Sequence, residues 1–97
     1  MRVLLHAPTA GALARARSNA RNLLAQQPDA EILIVANADG VGEAIATRDA
    51  ETDTLLRICE NTLRARDLSA PGEIATVPAA IETLATLQEQ GWIYVRA

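Results

Sequence analysis

An unbroken run of apolar residues, Ile32-Leu33-Ile34-Val35-Ala36, is the feature of this chain that most restricts its fold. The run is rich in β-branched residues and carries no charge, so both faces of the strand that it predicts must be covered. A strand covered on both faces is typical of a parallel sheet that lies between helices. The run therefore predicts an α/β architecture.

The rest of the chain alternates between segments of the same kind and segments with helical spacing. Further strands are predicted at residues 3–5, 54–58, 74–77 and 92–96, and helices at 12–27, 41–47, 61–66 and 79–90. Strands that alternate with helices imply right-handed crossovers and a mainly parallel sheet. The 97 residues predict one domain, residues 1–97, with a five-stranded, mainly parallel sheet.

Two local predictions complete this layout. The polar segment 48–53 is expected to be a surface loop. The last helix is expected to end at Gly91, as helices often do at a glycine. Its predicted inward face consists of Ala80, Ile81, Leu84 and Leu87.

Composition excludes several classes of function. The net charge is −3, and no basic stripe with interleaved aromatic residues is present, so nucleic-acid binding has little support. No apolar run approaches the length of a membrane span. A single His and a single Cys cannot close a zinc site within one chain, and the chain has no lysine for a Walker motif. A lone thiol fits a reducing compartment, so the expected location is the cytoplasm.

Cys59, the single cysteine, lies where the third predicted strand passes into a helix. A thiol at a helix start meets unpaired backbone N–H groups and the positive end of the helix dipole. Both favour the thiolate, so we expect the pKa of Cys59 to lie below that of a free thiol. The alternative is that Cys59 is a small buried apolar residue, because free cysteine is among the most buried residue types.

Several other residues are expected at the same edge of the sheet, since the carboxyl ends of parallel strands share one rim. His6 follows the first strand, Asn37 the second and Pro78 the fourth, and Asn61 comes directly after Cys59 in the next helix. His6 is either a base or hydrogen-bond partner for a thiolate, or a ring that the backbone satisfies as part of the packing. Asn37 is either a ligand-binding residue or a turn residue.

The chain resembles the DsrE/DsrF-like family of small α/β proteins, which is linked to intracellular sulfur oxidation and sulfur relay. The most specific match is Cys59-Glu60-Asn61-Thr62-Leu63, which is similar to a Cys-x-Asn-(Ser/Thr)-Leu segment of that family. The remaining matches are Val3–His6, the helix segment 20–24, the strand segment 32–37, and the Leu, Gly, Trp and Tyr residues between 84 and 94.

The resemblance implies a three-layer α/β/α domain, flavodoxin-like in general layout, and a homo-oligomer, typically a trimer or a hexamer of stacked trimers. It also implies that Cys59 holds sulfur as a persulfide and passes it to another protein's thiol, in the manner of a sulfurtransferase. Such transfer needs an accessible thiolate and a rim that stabilises its charge, with no metal and no cofactor. The implied partners are sulfur donor and acceptor proteins.

Two alternatives remain open at this stage. In one, the protein is a non-catalytic oligomeric module that binds a small ligand or a protein at the same rim, and Cys59 is structural. In the other, it is an interaction subunit whose Trp92 and Tyr94 anchor contacts between subunits. Within a single chain, these two aromatic residues would instead cover the sheet edge.

Overall fold

The computed structural model describes all 97 residues as an α/β protein. Its strands are β1 (Arg2–Ala7), β2 (Glu31–Ala36), β3 (Leu56–Cys59), β4 (Ala75–Val77) and β5 (Ile93–Arg96). Its helices are α1 (Ala10–Gln26), α2 (Asp39–Ala46), α3 (Ala50–Asp53), α4 (Glu60–Ala65) and α5 (Ala80–Glu89). None of these helices combines the length and apolar character that crossing a bilayer requires.

The five strands form one sheet in the order β4-β3-β2-β1-β5, and every neighbouring pair is parallel. The predicted α/β fold class is therefore confirmed. The layers are those of a flavodoxin-like protein, although the strand order differs from the 2-1-3-4-5 order of flavodoxin itself. From β1 to β4 each strand is added on the same side, whereas the last crossover returns the chain to place β5 beside β1.

This reversal gives the sheet two unequal faces. Right-handed crossovers in one direction put their helices on one face, and a crossover in the opposite direction puts its helix on the other. The larger core joins α1, α2 and α4 to side chains such as Leu5, Ile34 and Ile58. On the opposite face α5 alone packs on the sheet, through Ala80 and Leu84. The second face is therefore only partly covered.

The ends of the elements follow from local chemistry. The Thr9 hydroxyl accepts the backbone N–H of Ala12 at 3.0 Å and caps α1. Gly91 has a φ of +90° directly after the C-cap of α5, as expected for the glycine that ends this helix. Gly40 lies against the end of β1, where a Cβ atom would be 2.0 Å from the carbonyl oxygen of Ala7.

Segment 48–53 is not the surface loop that its polarity predicts. It contains the short helix α3, whose Thr52 and Asp53 side chains are buried. They receive hydrogen bonds from the buried guanidinium of Arg17, at 2.6 Å for Thr52 Oγ1 and 2.9 Å for Asp53 Oδ1. Arg48 bonds the other oxygen of Asp53 at 2.9 Å. Polar groups can be buried here because each one has a partner.

The predicted inward face of the last helix is wrong at one position. Ile81 is 74% exposed, whereas Ala80 and Leu84 are buried. Helix α5 is the only helix on this face of the sheet, so no second helix covers its flank. Ile81 belongs to the apolar side of α5 but extends beyond the part that contacts the sheet.

Candidate functional site

The carboxyl ends of the strands form the rim that contains the candidate site. Cys59 is the last residue of β3, and Asn37 directly follows β2. In the parallel pairing of β2 with β3, Ala36 lies beside Ile58, so the residues that follow them, Asn37 and Cys59, also lie side by side. His6, near the end of β1, is paired with Val35 on the β2 side and with Arg96 on the β5 side.

The thiol of Cys59 points to the face of the sheet that α5 covers. Its side chain belongs to the same apolar cluster as Leu4, Val35 and Leu84, and Cys59 is 5% exposed. Cys59 is also the N-cap residue of α4. The backbone N–H of Ala80, in the first turn of α5, donates to Sγ with an N···S distance of 3.4 Å. The sulfur is therefore nearly enclosed by aliphatic groups, as in the alternative of a small buried residue, and not accessible as sulfur transfer is expected to need. The start of α5 nevertheless supplies it with a donor.

The balance of burial and hydrogen bonding sets the pKa of Cys59. Burial raises this pKa, because it penalises the charged thiolate. The N–H of Ala80, the N–H and hydroxyl of Thr62, and the N–H of Asn61 each lower it. Together these donors outweigh burial, and the pKa of the Cys59 thiol lies below its ordinary value. The direction of this shift is the one that the position of the cysteine predicts.

Thr62 connects the sulfur to a strained residue in the neighbouring loop. Its Oγ1 accepts the backbone N–H of Ala38 at 3.2 Å. Ala38 has φ 48° and ψ −134°, a conformation that non-glycine residues rarely adopt. Such a conformation costs about 1–3 kcal/mol and persists only where its surroundings enforce it. The loop between β2 and α2 is thus held in place beside Cys59.

His6 is part of a chain of three hydrogen-bonded side chains. Its Nε2 lies 3.0 Å from Oδ1 of Asn37, and its Nδ1 lies 2.6 Å from the hydroxyl of Tyr94. An amide oxygen can only accept, so Nε2 carries the proton. In the neutral ring, Nδ1 then accepts the Tyr94 O–H. The ring is satisfied by side chains rather than by the backbone, and it acts on Asn37 rather than directly on the thiol.

The other two predicted rim residues contribute less through their side chains. The Asn61 amide is exposed and its Oδ1 accepts a hydrogen bond from the Arg64 guanidinium. Only its backbone N–H acts on Cys59. Pro78 lies between β4 and α5 and leads into the helix start that contacts Sγ.

Some features of this site were not identified from the sequence. Tyr94 reaches His6 only because β5 is placed beside β1, and strand order leaves no signal in the sequence. The Ala80 donor is a backbone group, which a search for reactive side-chain types overlooks. Trp92, which the sequence already singles out, is half-buried and packs beside the α5 cluster, and the Arg2 guanidinium carbon lies over its ring at 5.7 Å from the ring centroid.

An open cavity of about 480 Å³ lies at the opposite end of the strands, away from Cys59. Its lining includes Arg48, Asp53 and Glu73, and these charges already pair with one another. No group of three or more His, Cys, Asp or Glu side chains is arranged to hold a metal ion. The rim around Cys59 is therefore the candidate site.

Comparison with known proteins supports the fold and leaves the function open. No protein-family model and no curated protein matches this chain. The chain is similar to the solved structure of MTH1491, a protein of unknown function from Methanobacterium thermoautotrophicum. The two are 26% identical with a TM-score of 0.82, and the match covers 99% of this chain and 98% of the other.

Proposed function

We propose that this protein is a cytoplasmic sulfur carrier of the DsrE/DsrF-like kind, which holds a sulfur atom on Cys59 and passes it to a partner thiol. The observation that carries the proposal is the hydrogen bond from the Ala80 N–H to Cys59 Sγ, in a setting that lowers the thiol pKa. A thiolate is the nucleophile of sulfur exchange, so a site that stabilises it favours this chemistry. The match of Cys59-Glu60-Asn61-Thr62-Leu63 to the family segment supports the same conclusion.

The reaction requires no oxidant or reductant. The Cys59 thiolate attacks the outer sulfur of a donor persulfide, R–S–SH, and a new S–S bond forms as the donor S–S bond breaks. The donor leaves as the thiolate R–S⁻, and Cys59 becomes the persulfide Cys–S–SH. In the second step, an acceptor thiolate attacks the outer sulfur and releases the Cys59 thiolate.

The burial of Cys59 restricts how this transfer takes place. Loading requires the outer sulfur of the donor to reach Sγ, which is nearly enclosed. After loading, the outer sulfur of the persulfide lies about 2 Å from Sγ. The bound sulfur, rather than Sγ, is then what an acceptor meets. The N–H donors at the starts of α4 and α5 stabilise negative charge at Sγ both before loading and after unloading.

Intact-mass measurement tests the proposal directly. Incubation with a low-molecular-weight persulfide should add the mass of one sulfur atom to the protein, and dithiothreitol should remove it. Cys59 is the only cysteine, so Cys59→Ser should show no such addition. If the wild-type protein gains no sulfur from any persulfide donor, or if the variant gains it equally, the proposal is wrong.

A second function is favoured by the exposed apolar surface of the chain. All four residues of β5 are exposed, its outer edge has no neighbouring strand, and Ile93 and Val95 are 50% and 39% exposed. Unpaired strand edges with apolar side chains are sites of association. In this alternative, the protein is a homo-oligomeric binding module, a trimer or hexamer, in which Cys59 is structural.

Light scattering coupled to size exclusion separates the assembly question from the chemistry. A trimer or hexamer that never takes up sulfur would support the binding module. A monomer over the whole concentration range would contradict the binding module and leave the sulfur-carrier proposal to the mass measurement.

A further inference from the structure

The outer edge of β5 lacks the residues that usually prevent an edge strand from pairing. The strand lies beside β1 on one side and beside no strand on the other, and all four of its residues are exposed. Proline and lysine, which protect many natural edges, are both absent from residues 93–96. The N–H and C=O groups along this edge are therefore available to extend the sheet with another strand.

The pairing of β5 with β1 determines which backbone groups point outward. The backbone N–H of Ala97 donates to the carbonyl of His6 at 3.0 Å, so residue 97 directs its backbone groups toward β1. Backbone groups alternate in direction along a strand. Those of Tyr94 and Arg96 therefore point away from β1, toward the open side of the sheet.

A second copy of β5 fits this edge with a two-fold axis at Val95. Two copies of an edge strand that join their sheets about a two-fold axis are antiparallel, and a ladder forms only where outward residues face outward residues. With the axis at Val95, Tyr94 of each copy lies opposite Arg96 of the other. Every outward N–H and C=O group of the two strands then gains a partner.

The neighbouring registers are less favourable. With the axis at Tyr94, Arg96 lies opposite Trp92 of the second copy, whose N–H already donates to the Leu87 carbonyl. With the axis at Arg96, two guanidinium groups lie directly opposite each other, which is destabilising. The axis at Val95 is the register that avoids both defects.

The side chains of β5 agree with this register. Val95, which is 39% exposed, meets Val95 of the second copy in a pair without hydrogen bonds, where side chains approach most closely. On the other face of the sheet, Arg96 lies opposite the Tyr94 ring, which is 40% exposed. Because the face of an aromatic ring attracts cations, the only charge in residues 93–96 finds a complementary group.

We propose that β5 pairs antiparallel with β5 of a second copy of this chain, about a two-fold axis at Val95, and joins two sheets into one. This inference rests on the homo-oligomeric alternative and names its contact, and it does not depend on sulfur chemistry. Such a contact forms a dimer, or joins two trimers into a hexamer. The two rims face opposite ends of the joined sheet, so each Cys59 keeps its own surroundings.

Cysteine cross-linking of the full chain tests the register. In a Cys59→Ser background, the variant Val95→Cys has one thiol, and the axis places it beside the same thiol of the second copy. The two Cα atoms of such a pair lie about 4.5 Å apart, a distance that a disulfide spans. Oxidation with diamide should convert most of this variant to a covalent dimer on a non-reducing gel. A variant that stays monomeric would overturn the proposal.

Ile93→Cys in the same background is the matched control. Ile93 lies two residues from Val95 on the same face of the strand and is 50% exposed. The two copies of Ile93 lie on opposite sides of the axis, about 14 Å apart, which is too far for a disulfide. This variant should cross-link at least about tenfold more slowly than Val95→Cys. Equal rates in the two variants would mean random collision and would also overturn the register.

Arg96→Pro tests the backbone ladder in the protein that keeps Cys59. Proline is tolerated on an edge strand where the missing N–H faces solvent, so the pairing with β1 remains. The dissociation constant of the dimer, measured by sedimentation equilibrium, should rise at least about tenfold, with an unchanged urea midpoint in dilute solution. An unchanged dissociation constant would refute the ladder, and so would a wild-type protein that is monomeric at every concentration.

The outcomes separate this inference from the proposed functions. If light scattering shows a trimer but Val95→Cys does not cross-link, this inference fails and the homo-oligomer stands. If Val95→Cys cross-links but the wild-type protein takes up no sulfur, the β5 contact stands and the carrier function fails.

Discussion

Replacing Gly40 by alanine should destabilise the protein through one steric contact. The new Cβ would lie 2.0 Å from the Ala7 carbonyl oxygen and 3.0 Å from its carbonyl carbon. Ordinary contact begins near 3.4 Å, so the end of β1 and the start of α2 must separate by more than 1 Å. Both contacting atoms belong to the backbone, and no side-chain rotation can relieve the contact.

The expected cost follows from this geometry. Overpacking of a well-packed interior costs about 1–3 kcal/mol, and a backbone clash belongs at the upper end of that range. The higher helix propensity of alanine returns up to about 1 kcal/mol. We therefore expect Gly40→Ala to lower the free energy of unfolding by about 2 kcal/mol, a large fraction for a domain of this size.

Gly42→Ala is the matched control, because it makes the same chemical change two residues further along the same helix. A Cβ at Gly42 meets no atom within 4 Å. Only the propensity gain remains, so this variant should be more stable than the wild-type protein by about 0.5–1 kcal/mol. The two variants should thus differ by about 3 kcal/mol, although each adds one methyl group to α2.

Urea unfolding, followed by circular dichroism and by the fluorescence of Trp92, measures both values. The midpoints should move in opposite directions while the slopes stay equal. The same change should also disturb the site, since the Ala7 carbonyl accepts the backbone N–H of Asn37 at 3.4 Å. Equal midpoints for the two alanine variants would refute the steric reasoning.

Three further predictions concern groups with unusual surroundings. Arg17→Met should lower the free energy of unfolding by about 2 kcal/mol in urea titrations, because it removes one of the two guanidinium partners of buried Asp53 and the donor to buried Thr52. Ala38→Gly should raise it by about 1 kcal/mol in the same assay, since glycine relieves the strain at φ 48°. The third is a pH dependence: the stability of the wild-type protein relative to Cys59→Ala should rise with pH, by at most about 1.4 kcal/mol per pH unit. The rise is confined to the window between the lowered native pKa of Cys59 and its ordinary unfolded pKa, because only the unfolded state binds the proton there. A flat difference across that window would contradict the lowered pKa.

The strands were the part of the fold that the sequence predicted best, because a strand covered on both faces needs an unbroken apolar run. Residues 32–36 lie wholly within β2. The same reasoning failed for α3, where Thr52 and Asp53 are buried without any apolar signal. Their burial depends on the guanidinium of Arg17, which is distant in sequence, and local patterns carry no information about such a partner.

The position of Cys59 at the rim was predictable, whereas its surroundings were not. A strand that ends at a helix start is a local feature, and it correctly indicates N–H groups near the sulfur. Successive side chains of a strand alternate between the two faces of the sheet. The face on which the sulfur lies therefore depends on which residue is the last of the strand. The segment 54–58 was predicted as the strand, but β3 runs from Leu56 to Cys59.

The reversal of the chain at β5 explains why the groups of the site meet at all. Helix α5 is the one that packs on the second face, so its first N–H groups reach a sulfur on that face. The same crossover brings Tyr94 beside β1, within reach of His6 on that face. A shift of one residue in the register of β3 would turn Cys59 to the opposite face, away from the Ala80 donor. The same shift in β5 would separate Tyr94 from His6. The candidate site is therefore a consequence of strand order, and a homologue that keeps the cysteine but adds β5 at the other edge would lack both the Ala80 donor and the contact between His6 and Tyr94.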